Sequence, residues 1–257
     1  MPAVALLRGT VEASQTLRRT LPALGAWTVA RAVGLPQLER MLDTLLVDAI
    51  VFSPHQTTLS EVGRLRDRFP FVPWIAFAPF RPDDGEALAR LRQAGISRVL
   101  VQGVDDPVAG ELVARHSALA ERRRALTEAP RMLRLADALQ RSVWNYLLDR
   151  VDQPVRTGEI ARFQGCTREH LSRQFAAGGA PNLKRAIDLT RVTVAAALLR
   201  NPGYDVAGVA RVLRFATPSH LSATARRIAG VPAGGLAPLG PRGVLVNFAR
   251  GKTRSRV

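Results

Sequence analysis

Cysteine is almost absent from this chain. Its one copy, Cys166, excludes a disulfide framework and any cysteine-based zinc site, and fits a reducing cytoplasm. Histidine is nearly as scarce: His55, His116, His170 and His220 are scattered without metal-ligand spacing, so no metal is expected. No stretch approaches the ~18 uninterrupted apolar residues of a membrane span. The opening MPAVALLRGTVEAS holds too short an apolar run for a signal peptide. A cytoplasmic location without a membrane partner is the expectation. P-loop, nucleophile elbow and GxGxxG are all missing, so neither catalysis nor a cofactor is expected.

Acidic residues are also few. The 257 residues carry 37 Lys+Arg against 21 Asp+Glu, a formal net charge of +16. The excess is uneven: residues 1–125 hold 16 basic and 13 acidic side chains, whereas residues 126–257 hold 21 and 8. Nearly all the cations are arginines, with Lys184 and Lys252 the only lysines. One reading is a polyanionic partner for the second half, since guanidinium groups suit phosphates and base edges. The other is a surface inflated by an Arg-rich proteome. At 47% hydrophobic the chain can bury real cores, and its length favours two domains of ~100–200 residues each.

The first half alternates. Short apolar runs at 3–7, 26–33, 48–52, 72–77 and 98–101 predict strands. Helices are predicted at 11–24, 36–46, 59–68, 85–94 and 107–126, the last as one long helix. Such alternation makes a parallel sheet covered on both faces, here an α/β domain with a flavodoxin-like five-stranded sheet. The second half shows no convincing strand. Leu135, Ala138, Leu139, Val143, Tyr146 and Leu147 recur at threes and fours on one helix face. Pro130 interrupts the helical pattern between the halves. The expected plan is an α/β domain over 1–126, a linker over 127–134, an all-α domain over 135–238 and a flexible basic tail over 239–257.

Two segments of the second half look alike: TGEIARFQGCTREHLSRQF at 157–175 and VAGVARVLRFATPSHLSATA at 206–225. Each has an apolar-Ala pair (Ile160-Ala161, Val209-Ala210), a short turn, a Thr and, four residues on, a Leu (Leu171, Leu221). In a helix-turn-helix the Ala must be small because two helices cross there, and the Thr caps the helix that enters the DNA groove. Two such matches in an Arg-rich half predict a pair of DNA-binding motifs.

The segment from about Val155 to Pro232 resembles the AraC/XylS family of transcription regulators. EIARFQGCTREHLSRQF is similar to its first motif, and NLKRAIDLTRVTVAAALL, with Arg191, to its central helix. VAGVARVLRFATPSHLSATARRIAGVP is similar to its second motif. The resemblance implies sequence-specific binding of double-stranded DNA, with RNA polymerase as a further partner. The second motif departs from the pattern: Arg214 stands where the family has Gly, Leu221 replaces an aromatic and Ala225 a Phe. That module is expected to be less tightly packed or less faithful in reading DNA.

Helical spacing places Arg168, Glu169, Ser172 and Arg173 on the outward face behind the capping Thr167. Arg168 or Arg173 can fork onto guanine, and Glu169 can accept from a cytosine amine. Behind the capping Thr217 the second motif offers Pro218, Ser219, Ser222 and Ala223, a small face poor in donors. Ser219, Arg226 and Arg227 are expected to hold phosphates there. Cys166, just before the first recognition helix, reads as a buried turn cysteine; the rival is a redox or alkyl-transfer thiol in a DNA-repair protein. A nonspecific DNA-binding protein is a third reading.

About residues 3–125 resemble response-regulator receiver domains. That resemblance implies an acceptor carboxylate after the third strand, an acidic pair after the first, a Thr or Ser after the fourth and a Lys after the fifth. Those slots hold Ser53, Arg8-Gly9-Thr10, Ala78 and Gln102. Without carboxylates magnesium has no oxygen cage, so no aspartyl phosphorylation is expected. The domain is left to dimerise, bind a partner or take a small ligand, with His55 near the remnant pocket. Helix 107–126 can pair two copies or pack on its own sheet.

Overall fold

The computed structural model describes residues 2–23, 27–96 and 98–251. The chain divides into two compact units, Met1–Glu121 with Asn201–Gly203, and Arg122–Arg200 with Tyr204–Val257.

The first unit is an α/β layer structure. Its strands are β1 (Ala3–Leu7), β2 (Thr28–Ala32), β3 (Val47–Phe52), β4 (Trp74–Ala78) and β5 (Val99–Val101). They form one parallel sheet in the order β2-β1-β3-β4-β5, the flavodoxin-like order. Every residue of β1, β3 and β4 is buried, as expected where helices cover both faces. The helices are α1 (Val11–Thr20), α2 (Leu35–Thr44), α3 (Leu59–Arg68), α4 (Gly85–Gln93) and α5 (Ala109–Arg115), and α6 (Ala118–Ala125) runs across the division into the second unit. Gly110 of α5 is required by close packing: a Cβ there would lie 2.3 Å from the Leu21 amide nitrogen. Its own N–H donates to Thr20 Oγ1 (2.8 Å), tying α5 to the end of α1.

The expected single helix over 107–126 is two helices. Ser117 separates them: its hydroxyl donates to the Ala114 carbonyl (2.7 Å) and accepts from the Ala120 amide (3.2 Å). A serine so placed caps the next helix. Val113 is buried in the sheet-side core with Leu112 packed against it, whereas Val108 is exposed. The end of expected helix 11–24 and the first residue of expected strand 26–33 lie outside the described residues.

The second unit is helical: α7 (Ala129–Met132), α8 (Ala138–Asp149), α9 (Thr157–Phe163), α10 (Arg168–Phe175), α11 (Leu183–Leu198), α12 (Val206–Val212), α13 (Pro218–Ala229) and α14 (Leu236–Ala249). The central α11 contacts α8, α12, α13 and α14, and eight consecutive residues, Leu189–Ala196, are buried. The expected linker contains α7, with Ala129, Leu133 and Leu135 buried. The expected tail is corrected more strongly. Residues 236–249 form α14, broken at Gly240-Pro241, and it buries Leu236, Val244, Leu245 and Phe248 against α11 and α13. Those apolar side chains gain more by burial than a solvated tail would offer. Residues 252–257, Lys252 among them, lie outside the described residues.

Candidate nucleic-acid interface

The two look-alike segments fold alike down to their hydrogen bonds. At the end of α9 the amides of Gln164, Gly165 and Cys166 donate to the carbonyls of Ile160, Arg162 and Ala161. At the end of α12 the amides of Leu213, Arg214 and Phe215 donate to Val209, Arg211 and Ala210. Both turns close with a bond spanning five residues, and the residue before it sits at positive φ: Gly165 at 64° and Arg214 at 52°. Such a left-handed residue ends helices and favours glycine. Ala161 and Ala210 are buried at the crossings. The second turn is one residue longer before its threonine.

Each turn delivers a capped helix. Thr167 Oγ1 accepts from the His170 amide (3.2 Å), and Thr217 Oγ1 from the His220 amide (3.0 Å). Leu171 and Phe175 of α10, and Leu221 and Ala225 of α13, point into the unit and are fully buried. The looser packing expected of the second module is not what the structure displays. Ala225 and Ala229 are small and completely covered, and α13 contacts α11, α12 and α14. The nonstandard turn is held from α11: Arg191 lies 3.8 Å over the Phe215 ring, and its Nη2 donates to the Leu213 carbonyl (2.6 Å). Burial lowers the Arg191 pKa, while the Asp188 carboxylate works the other way.

Side-chain amides hold the far ends of both helices. Gln140 of α8, itself buried, donates Nε2 to the carbonyls of Phe175 (2.9 Å) and Ala177 (3.1 Å) at the end of α10. Asn247 of α14 donates Nδ2 to the Ala229 carbonyl at the end of α13 (3.0 Å). Terminal carbonyls lack helical partners, so these amides fix where each helix stops. Sequence reading missed both residues. For Gln140 a signal existed, the Asp137-x-x-Gln140 capping box, which forms.

The predicted contact residues fall into two groups. Thr167, Arg168, Glu169, Ser172 and Arg173 are all exposed, as are Thr217, Pro218, Ser219 and Arg226. Ser222 is half-buried and accepts from the Ala233 amide (3.3 Å). Arg227 is engaged by Asp188 (2.6 Å). Arg168 turns back along its own module: a Cβ placed on Gly158 would lie 3.6 Å from its Cδ. A groove of about 830 Å³ runs between α9, the start of α10 and α11, lined by Arg156, Thr157, Arg168, Lys184 and Arg191 among others. Cys166 lines it too and is half-buried. Among the described residues no cluster of His, Cys, Asp and Glu could hold a metal ion, and no helix is long and apolar enough to cross a membrane.

In the first unit the four positions singled out in the sequence lie at the carboxyl ends of the strands. Arg8 follows β1, Ser53 follows β3, Ala78 ends β4 and Gln102 follows β5. Arg8, at φ 50°, donates to the Gln56 carbonyl (2.7 Å) and forks onto Glu61 (2.9 and 3.2 Å). The Arg8 guanidinium, helped by the Thr58 amide and hydroxyl, holds the Glu61 carboxyl down to about 2. A cation built into the chain thus sits beside the end of β1, with its own carboxylate. His55 donates Nε2–H to the Pro79 carbonyl (2.9 Å) and packs on Phe80, with the ring centroids 5.7 Å apart. It borders a cleft of about 450 Å³ with Thr57 and Arg90.

No protein-family model matches the chain, and no curated protein matches it significantly. Among solved structures it is similar to full-length FixJ from B. japonicum, at 12% identity over 87% of this chain and 95% of that one, with a TM-score of 0.38.

Proposed function

We propose that the protein is a DNA-binding transcription regulator of the AraC/XylS type, with α10 as the base-reading helix and α13 chiefly as a backbone anchor. The observation that carries the reading is the duplicated turn. Two helices, each behind a capping threonine and a left-handed turn residue, are joined through one central helix in the basic half of the chain. Such recognition helices enter successive major grooves about 34 Å apart. Arg173 is the leading base reader, because it is exposed on the outward face of α10 without an ion pair among the described residues. Glu169 supplies the acceptor beside it. On α13, Ser219 and Arg226 contact phosphates, and the ion pair with Asp188 makes Arg227 a weaker candidate than its sequence position implied. The α/β unit is a receiver-like domain without phosphoacceptor chemistry, and control passes through dimerisation, a partner or a ligand.

Arg173→Ala is expected to weaken a cognate duplex by about 1–3 kcal/mol and relax preference at one base position. Equal loss on cognate and random duplexes, measured by fluorescence anisotropy, would remove the base-reading role. A thiol-based reading of Cys166 needs an activating partner or metal, and among the described residues no cluster of His, Cys, Asp and Glu could hold a metal ion. A Cys166→Ser variant is expected to bind its site unchanged.

A further inference from the structure

Resting on that reading, we infer that the groove between α9, α10 and the central helix α11 seats the DNA phosphodiester backbone, with Lys184, Arg156 and Arg168 as its cations. The central helix would then be a third contact surface rather than a spacer between two readers. Five cationic side chains line this groove against two carboxylates. One of those, Asp188, is already engaged by Arg227 (2.6 Å), so the surplus facing solvent is larger than the count. Lys184, Arg156 and Arg168 make no ion pair among the described residues, and Arg156, Arg168 and Lys184 are exposed.

The floor of the groove is charged as well. Arg191 is only 8% exposed, and its Nε has no hydrogen-bond partner among the described residues. Its Nη2 is held by the Leu213 carbonyl, so it contributes a fixed positive charge beneath the cations of the groove. The groove also has the extent a strand needs. Past Thr157, Lys184 and Asp188 it continues into a second depression of about 370 Å³ that reaches Ser172 of α10 and Arg227 of α13. A cationic track joining the flanks of two recognition helices complements a polyanionic strand passing between two major grooves better than it does a compact ion.

The test uses the full chain and two duplexes, one selected and one random, with binding followed across about 50–200 mM KCl. Lys184→Ala and Arg156→Ala are each expected to make the slope of log K against log salt shallower by about 0.9 and to weaken both duplexes equally. Lys184→Arg should keep the wild-type slope. Wild-type slopes in both alanine variants, or a loss confined to the selected duplex, would overturn the groove assignment while leaving the helix-turn-helix reading intact. A wild-type protein whose binding ignores salt would overturn that reading instead. Inorganic phosphate alone, at millimolar concentration, is expected not to raise the Tm. A saturable rise that depends on Lys184 would assign the groove to a free anion and overturn the claim.

Discussion

Arg214 shows how one residue can look wrong in sequence and be explained by its backbone. It replaces a glycine of the resembled motif, and it sits at φ 52°, where glycine is favoured. A side chain in that region costs roughly 1–2 kcal/mol, and glycine gives back about 0.5–1 kcal/mol in chain entropy. Arg214→Gly should therefore stabilise the helical unit by about 0.5–1 kcal/mol, read as a higher urea midpoint; a lower midpoint would contradict the assignment. The departure was visible in the sequence, but its strain was not, because φ depends on the closed turn. Arg8 is a similar case. The sequence singled it out by its place after the first strand; its fork onto Glu61, 53 residues away, required the fold. The folded Glu61 pKa is lowered from 4.5 to about 2, chiefly by Arg8. Its stabilising share is complete above the ordinary value and lost as pH falls through about 2. Tm should therefore fall less steeply for Arg8→Ala than for wild type between pH 4.5 and 2. Equal slopes would mean the pair contributes nothing.

Elements were legible where one local signal decides them. The buried strands announced themselves as short apolar runs, and helix 59–68 matches α3 to the residue. Both threonine-capped helices, α10 and α13, were readable because a capping Thr and a Leu one turn later are local features. Two elements misled for physical reasons. Ser117 divides the 107–126 stretch by capping, without the Gly or Pro that usually marks a break. Gly240-Pro241 looked like the start of a tail but only kinks α14, and the apolar Val244, Leu245 and Phe248 beyond it pack inside. Phe248→Ala should cost about 3–5 kcal/mol in the helical unit, and it also removes the ring beneath the Arg185 guanidinium, 4.7 Å from its centroid. A loss below about 1 kcal/mol would place α14 with ordinary surface segments. The capping box flagged Gln140, but its hold on α10 and that of Asn247 on α13 depend on contacts between helices distant in the chain.

At the scale of the molecule, charge and chemistry divide between the halves. The basic surplus lies in residues 126–257, with the two threonine-capped helices. The first unit has a flavodoxin-like strand order and carries Arg8, Ser53, Ala78 and Gln102, none of them a carboxylate, at the carboxyl ends of its strands. Acetyl phosphate with magnesium should therefore leave no acid-labile phosphoryl group on the chain and no change in DNA affinity. A stable phosphoryl adduct would refute this. If the helical half reads duplex sequence chiefly through α10 and anchors on the backbone through α13, selection from a random duplex library reveals it most directly. The full chain should enrich a site with a strongly specified segment for α10 and a weaker one about one helical turn, roughly 10 base pairs, away. Recovery of duplexes with no shared sequence, at affinities equal to the starting library, would contradict it.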